Sequence, residues 1–279
     1  MRVFITVDIE GANGLAVLNE LVPGSPENAY FRNQLTKEVA GACRGALEAG
    51  AEKVFVRDSH AFGTNIIPDG LPEDERVFLC RGYPHDLYIM MGGIQYDKYD
   101  AALFIASHCG GYSFGSNVSH TFNPMLDRFT INGIDMSEFT LGAFMAGLQK
   151  VPIVFLSGDR AACEEAEALI PGITTVTTHE AICGRANVSN HPNIAVKRIQ
   201  EGVRRALSGD YRRLVPELPE HFEVIMRFKE HARAFHFSFY PGVEQVDSKT
   251  LKFRTENYLD VLRLIHFTLI PIRPGEFEA

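Results

Sequence analysis

Two short apolar runs separated by a single amphipathic helix limit the fold of this chain more than any other feature. Val3-Phe4-Ile5-Thr6-Val7 is rich in β-branched residues and reads as a buried strand. After a loop holding Pro23, Gly24, Ser25 and Pro26, residues 27–49 carry Tyr30, Phe31, Leu35, Val39, Cys43 and Leu47 at helical spacing. Ser25-Pro26 supplies a capping hydroxyl and a first-turn proline, and Gly50 ends the helix. Lys53–Val56 is a second apolar run. Strand, helix and strand make a βαβ unit, which requires parallel strands and a right-handed crossover.

The same grammar continues. Arg76–Cys80, Ala101–Ala106, Val151–Leu156 and Ile173–Thr178 read as further strands. Helices are predicted from Glu138 to about Gln149, and around Ala161, Ala162, Ala166 and Leu169, where Pro171-Gly172 stops the turn. Phe129-Thr130-Ile131 and Ile134-Asp135-Met136 flank Asn132-Gly133, the dipeptide best suited to a two-residue hairpin. From about residue 185 the pattern changes: a long helix over 191–207, then Pro216 to Pro219, then strands near 223–228 and 251–254 and a last helix over 257–269. The expected fold is α/β, a mostly parallel sheet with flanking helices in an N-terminal catalytic domain (1–185). A smaller α+β C-terminal domain (186–279) is expected to follow.

Composition excludes several functions. A chain of 279 residues, 46% hydrophobic, can bury a proper core as one large or two modest domains. The net charge of -8 with no basic stripe argues against a nucleic-acid partner. The longest apolar stretch, Val261 to Ile272, is broken by Arg263 and His266 and is too short for a bilayer, so no membrane partner is expected. Arg2 leads straight into a strand pattern, not into a signal peptide. Five scattered cysteines without a CxxC pair fit reduced thiols and a cytoplasmic location.

The candidate chemistry sits at strand ends. Asp8 and Glu10 are two apart, so on an extended chain both carboxylates point to one side and repel. His60 and His108 also follow apolar strands directly, and Glu138 follows the hairpin. Ligands bind at the carboxyl ends of strands in open parallel sheets. Two imidazoles and three carboxylates there suit a divalent transition metal. Five ligands exceed what one catalytic zinc takes, and they suit two ions sharing a carboxylate. Each residue alone has a plainer role: Asp8 and Glu10 as surface acids, His60 as a turn residue, Glu138 as an acid favoured by a helix dipole. His120, between Ser119 and Thr121, could face anything; Asp159 reads as a helix cap first and as a support behind the metal ligands second; His85, His191, His221, His231, His236 and His266 read as surface or core. The combination is the signal. No H-E-x-x-H, Walker A, G-x-G-x-x-G after the first strand or G-x-S-x-G occurs, which removes zincins, P-loop NTPases, Rossmann dehydrogenases and α/β-hydrolases.

Taken in order, Val7-Asp8-Ile9-Glu10-Gly11, Asp58-Ser59-His60, His108, Ser119-His120, the Ile131-Asn132-Gly133 hairpin with Glu138, and Gly158-Asp159-Arg160-Ala161-Ala162 resemble the DppA-type D-aminopeptidases. These are dinuclear-zinc, self-compartmentalising peptidases. The resemblance is close from residue 1 to about 175 and looser beyond. It implies Asp8, Glu10, His60, His108 and Glu138 as zinc ligands, with Asp8 bridging a pair of Zn2+ ions per subunit. It also implies His120 as the catalytic residue, acting as nucleophile or as acid/base beside a metal-activated water. The implied substrate is a short peptide with an N-terminal D-amino acid such as D-Ala, and the implied assembly is a homodecamer of two pentameric rings. The glycine-rich loop between His108 and His120 is one residue longer than the family pattern, which bears on substrate choice. The competing expectations are another dinuclear-metal hydrolase on the same framework (an L-aminopeptidase, amidase or phosphohydrolase) and a catalytically silent ring-forming binding protein.

Overall fold

The computed structural model describes residues 1–82 and 86–270, so His85 lies outside the described residues. In chain order the elements are β1 (Arg2–Val7), α1 (Pro26–Glu48), β2 (Lys53–Asp58), β3 (Val77–Cys80), β4 (Ala101–Ser107), β5 (Leu126–Ile131) and β6 (Ile134–Asp135). They continue with α2 (Glu138–Leu148), β7 (Ile153–Asp159), α3 (Arg160–Leu169), β8 (Thr174–Cys183), β9 (Ala186–Ser189) and α4 (Pro192–Ser208). The last are β10 (Phe222–Phe228), α5 (His231–Phe237), β11 (Val243–Gln245), β12 (Thr250–Thr255) and α6 (Tyr258–Leu269). Among the described residues no helix is long and apolar enough to cross a membrane.

The chain forms two compact units. The first comprises residues 1–119 and 138–218, the second residues 120–137 with the chain from 219 onward. In place of a single cut after residue 185, we take these units as the domains. Strand β9 pairs with β8, and α4 packs on α1, which ties residues 186–208 to the first unit. The hairpin β5–β6 instead pairs with β10 in the second.

The first unit is organised on a sheet of order β3-β2-β1-β4-β7-β8-β9. Every pairing in it is parallel except that of β9 with β8. A parallel sheet is covered on both faces, and its central strands β1, β4 and β7 are accordingly buried almost throughout. Helix α1 starts where the sequence places it, with Ser25 Oγ accepting the Asn28 N–H at 3.1 Å. It lies close against α4 because it offers glycine there: a Cβ on Gly45 would meet the Gln200 carbonyl at 2.4 Å. Strands β2 and β4 flank β1, so the winding reverses direction between β1 and β4. In a doubly wound sheet that switch point opens a crevice at the strands' carboxyl ends. Asp8 and Glu10 leave β1 there, and His108 leaves β4.

The expected strand over Val151–Leu156 starts and ends later, as Ile153–Asp159. Ser157-Gly158-Asp159 resembles a turn in sequence, yet Gly158 is in the strand because a neighbouring backbone passes against it. A Cβ at Gly158 would stand 1.9 Å from the Ser107 carbonyl oxygen.

The second unit is a five-stranded antiparallel sheet, order β11-β12-β10-β5-β6, with α5 and α6 against it. Asn132 and Gly133 both take positive φ, 53° and 80°, as a primed two-residue turn requires. Alternate residues of β10 (Phe222, Val224, Met226, Phe228) are buried, the period expected of a sheet with one covered face.

Candidate metal centre

The segment after β1 is stitched to the end of β4. The Asp8 N–H donates to Ile105 O at 3.0 Å and the Gly11 N–H to Ala106 O at 2.8 Å. Gly11 must lack a side chain, since a Cβ would lie 2.0 Å from the Ser107 oxygen. The Ser107 carbonyl is therefore held between two glycines, Gly11 on one side and Gly158 on the other. Just before it, Ala106 adopts a left-handed conformation with φ 59°. That costs an L-residue about 1–2 kcal/mol and falls where the register of β4 against β7 shifts, between Phe104 and Ser107, just before His108.

His60 is held by a framework that residue types alone did not reveal. The buried Asp58 carboxylate accepts the backbone N–H groups of Asn65 (2.7 Å) and Ile66 (2.8 Å) and the Asn65 side-chain amide (2.8 Å). The same Asn65 amide donates to the His60 carbonyl at 2.8 Å. Ser59 fixes the strand exit, its hydroxyl donating to Val7 O at 2.6 Å. Ala61 then takes φ 50°, a second left-handed residue beside a site histidine.

Ring orientation of His108 follows from one contact. Its Nδ1 lies 2.8 Å from the Cys109 carbonyl, which can only accept, so Nδ1 carries a proton and Nε2 is the nitrogen turned to the carboxylates. Around Nε2 stand Asp8 Oδ2 at 3.6 Å, Glu10 Oε2 at 3.6 Å and Glu138 Oε1 at 3.5 Å. His60 Nε2 is 3.6 Å from the other Glu10 oxygen, Oε1. Glu138 opens α2, where the helix N-terminus favours a carboxylate. Its neighbour Phe139 anchors the turn edge-on against Phe104 of β4, ring centroids 5.0 Å apart.

These side chains form two overlapping ligand groups in the first unit, Asp8 with Glu10 and His60, and Asp8 with His108 and Glu138. In each, the candidate ligand atoms lie within 4.8 Å of one another. Asp8 belongs to both. Spacings of 3.5–3.6 Å exceed ordinary hydrogen bonds. They are close to the edge of a zinc tetrahedron, about 3.3–3.4 Å for ligands about 2.0–2.1 Å from the ion. The donor set and its spacing fit zinc.

Electrostatics agree. Burial pushes the Asp8 carboxyl well above its ordinary value, and the neighbouring Glu10 and Glu138 push it further against the opposing histidines. Burial pulls His60 down, but the carboxylates, Glu10 foremost, outweigh it and raise it to about 10. For His108 burial likewise pulls down, and Glu138, Glu10 and Asp8 together carry it well above the usual range. Carboxylates crowded out of water around two imidazoles favour whatever cation is offered. Beside them opens a small pocket whose lining includes Asp8, His108 and Glu138 together with Met90, Phe104 and Phe139.

A family model described as D-aminopeptidase matches residues 1–267. The chain belongs to the D-aminopeptidase family. The resemblance carried by the first 175 residues thus extends over nearly the whole sequence, and the family is one of peptide hydrolases. The chain is similar to a D-aminopeptidase of Bacillus subtilis (strain 168), 27% identical over 263 residues that cover 93% of each chain. Among solved structures it is similar to the Zn-dependent D-aminopeptidase DppA from Bacillus subtilis, described as a self-compartmentalizing protease. That match has a TM-score of 0.86 and 25% identity over 96% of this chain and 97% of the other.

Of the residues singled out in the sequence of this family member, Asp8, Glu10, His60, His108 and Glu138 converge in the first unit. His120 is the first residue of the second unit and is partly buried. Asp159 is the helix cap that was expected, its Oδ1 accepting the Ala162 N–H at 2.7 Å. It does more than cap, because Oδ2 also accepts the Cys109 N–H at 3.1 Å, directly behind His108. The sequence allows Asp159 a supporting role beside capping, but which group it supports depends on β7 lying beside β4.

Proposed function

We propose that this protein is a zinc aminopeptidase that removes the N-terminal residue from short peptides, with D-amino-acid (D-Ala) dipeptides and oligopeptides as its substrates. The observation that carries this reading is the cluster of three carboxylates and two imidazoles at the sheet's switch point. In it Asp8 is common to both ligand groups. A pair of zinc ions would be held with Asp8 shared between them, Glu10 and His60 serving one ion and His108 and Glu138 the other. Bound zinc lowers the pKa of a coordinated water and polarises the scissile carbonyl. The chain's own part is to hold that charge and to move protons. His120 is the proton carrier of the reaction, the role an imidazole most often fills in catalysis.

The deciding experiment pairs zinc content with hydrolysis of dipeptides bearing D- or L-residues at the N-terminus. The expected result is a pair of zinc ions per chain, activity abolished by chelators, and D-Ala peptides cleaved fastest. His60→Ala and Glu138→Ala should lose metal. His120→Ala should keep the metal and lose about 100-fold or more in turnover. Full activity in metal-free protein would overturn the proposal.

A further inference from the structure

Behind the metal centre lies a buried polar set with no part in the proposed reaction. Thr178 and His179 are neighbours on β8, both essentially inaccessible to solvent. The Thr178 hydroxyl oxygen stands 2.8 Å from the Gly158 carbonyl on β7 and 3.0 Å from the Gly11 carbonyl beyond the end of β1. It is also 3.1 Å from His179 Nδ1. A hydroxyl has one proton to donate, and carbonyls only accept. The Thr178 proton therefore points at the carbonyl pair, and its lone pair receives the N–H of His179 Nδ1. That fixes His179 as the neutral Nδ1–H tautomer, in keeping with the burial that holds its pKa below the ordinary value. His179 Nε2, the remaining nitrogen, is buried with no hydrogen-bond partner among the described residues.

The two carbonyls belong to the segments that position the metal ligands. Gly11 directly follows Glu10, and its N–H is already bonded to Ala106 O at 2.8 Å. Gly158 directly precedes Asp159, whose carboxylate holds the Cys109 N–H at 3.1 Å, and the Cys109 carbonyl orients the His108 ring at 2.8 Å. Between the two glycines runs the Ser107 carbonyl, too close to either for any side chain. One hydroxyl thus closes a bracket across the end of β4, from the Glu10 side to the His108 side.

We propose that Thr178, aimed by His179, is a positioning residue that sets the spacing between the Glu10-bearing and His108-bearing segments and so the affinity and geometry of the metal centre. The proposal rests on reading that cluster as a zinc centre. Groups that orient metal ligands without touching the ion are commonly worth about 10–100-fold in metal affinity.

The test is zinc affinity of the full-length protein, measured by chelator competition, together with the visible absorption of the cobalt(II) form, which reports coordination geometry. Thr178→Val keeps the shape and removes the hydroxyl. It should bind zinc about 10–100-fold more weakly and change the cobalt spectrum, while Thr178→Ser restores both. A second pair guards against a Val variant that does not fold. His179→Asn keeps an N–H donor near the Nδ1 position and should behave like the parent protein, whereas His179→Leu should weaken zinc binding. Parent-like zinc affinity and cobalt spectra in Thr178→Val, or in His179→Leu where the first cannot be prepared, overturn the proposal. A parent protein that binds no zinc overturns the metal-centre reading itself, and the bracket with it.

Discussion

Asp8 is the residue on which most depends, because it alone belongs to both ligand groups within the first unit. If it bridges, its loss dismantles both sites, whereas loss of Glu10 spares the pair formed by His108 and Glu138. Asp8→Ala should therefore retain almost no zinc by elemental analysis, while Glu10→Ala keeps about half of the parent's content. Equal losses would remove the bridge. The histidines set the pH response. In the absence of metal the carboxylates hold His60 protonated up to about 10 and His108 well above its usual range. A protonated imidazole cannot ligate, so each ion must displace protons as it binds. Apparent zinc affinity should then rise with pH between about pH 6 and 8, by up to about a hundredfold per pH unit if two protons leave together. Competition titrations across that range measure the slope. At this scale the sequence was most legible where chemistry and position coincide: His60 and His108 announce themselves by following apolar strands. Ala106 and Ala61 were silent, since nothing in an alanine shows that its neighbours force it to positive φ.

Among the elements, α1 has a part in the centre without touching it. Its Glu38 is wholly buried, and Oε1 accepts the Asn13 N–H at 3.0 Å and the Gln34 amide at 2.8 Å, so the helix props the loop that follows Gly11. Burial, opposed by those two hydrogen bonds, raises this carboxyl from 4.5 to about 7. The folded state then keeps a proton that the unfolded chain releases. This group's contribution is fully present below about pH 4.5 and declines as pH rises towards 7. At about 1.4 kcal/mol per pH unit the loss approaches roughly 3 kcal/mol. Glu38→Gln keeps the Oε1 acceptor and has no proton to lose. Urea unfolding at several pH values should show the variant gaining on the parent protein as pH rises, with most of the gain complete by about pH 8. The helix itself was legible, cap and length included, because spacing and Ser25-Pro26 agree. The short strands β9 and β11 were not, since four and three residues carry too little alternation to register. The end of β7 was misread because a glycine demanded by a passing carbonyl looks the same in sequence as a glycine demanded by a turn.

For the whole molecule, the mostly parallel α/β architecture follows from the order of apolar runs, but the division into units does not. Residues 120–137 leave the first unit, pair with β10 almost a hundred positions later, and return at Glu138. Such a pairing is fixed by long-range packing, and a linear pattern contains no trace of it. Assembly belongs to this scale as well. A structurally similar protein is described as self-compartmentalizing, and the homodecamer of two pentameric rings implied by the sequence resemblance can be tested by mass. Ten chains of 31.1 kDa amount to about 310 kDa. Light scattering on the eluted protein should return that mass, and a single chain's mass in dilute solution at neutral pH would exclude the rings.

The Ser107 carbonyl leaves no room for a methyl group on either side of it. If codons 11 and 158 were randomised together and survivors selected for zinc-dependent peptide cleavage, the library should collapse to glycine at both positions. Alanine, normally the mildest replacement, should be rejected as firmly as tryptophan. Other positions near the centre would record what the chemistry needs. These two would record only that three strands must end within a hand's breadth of atoms, and that the middle one keeps its oxygen.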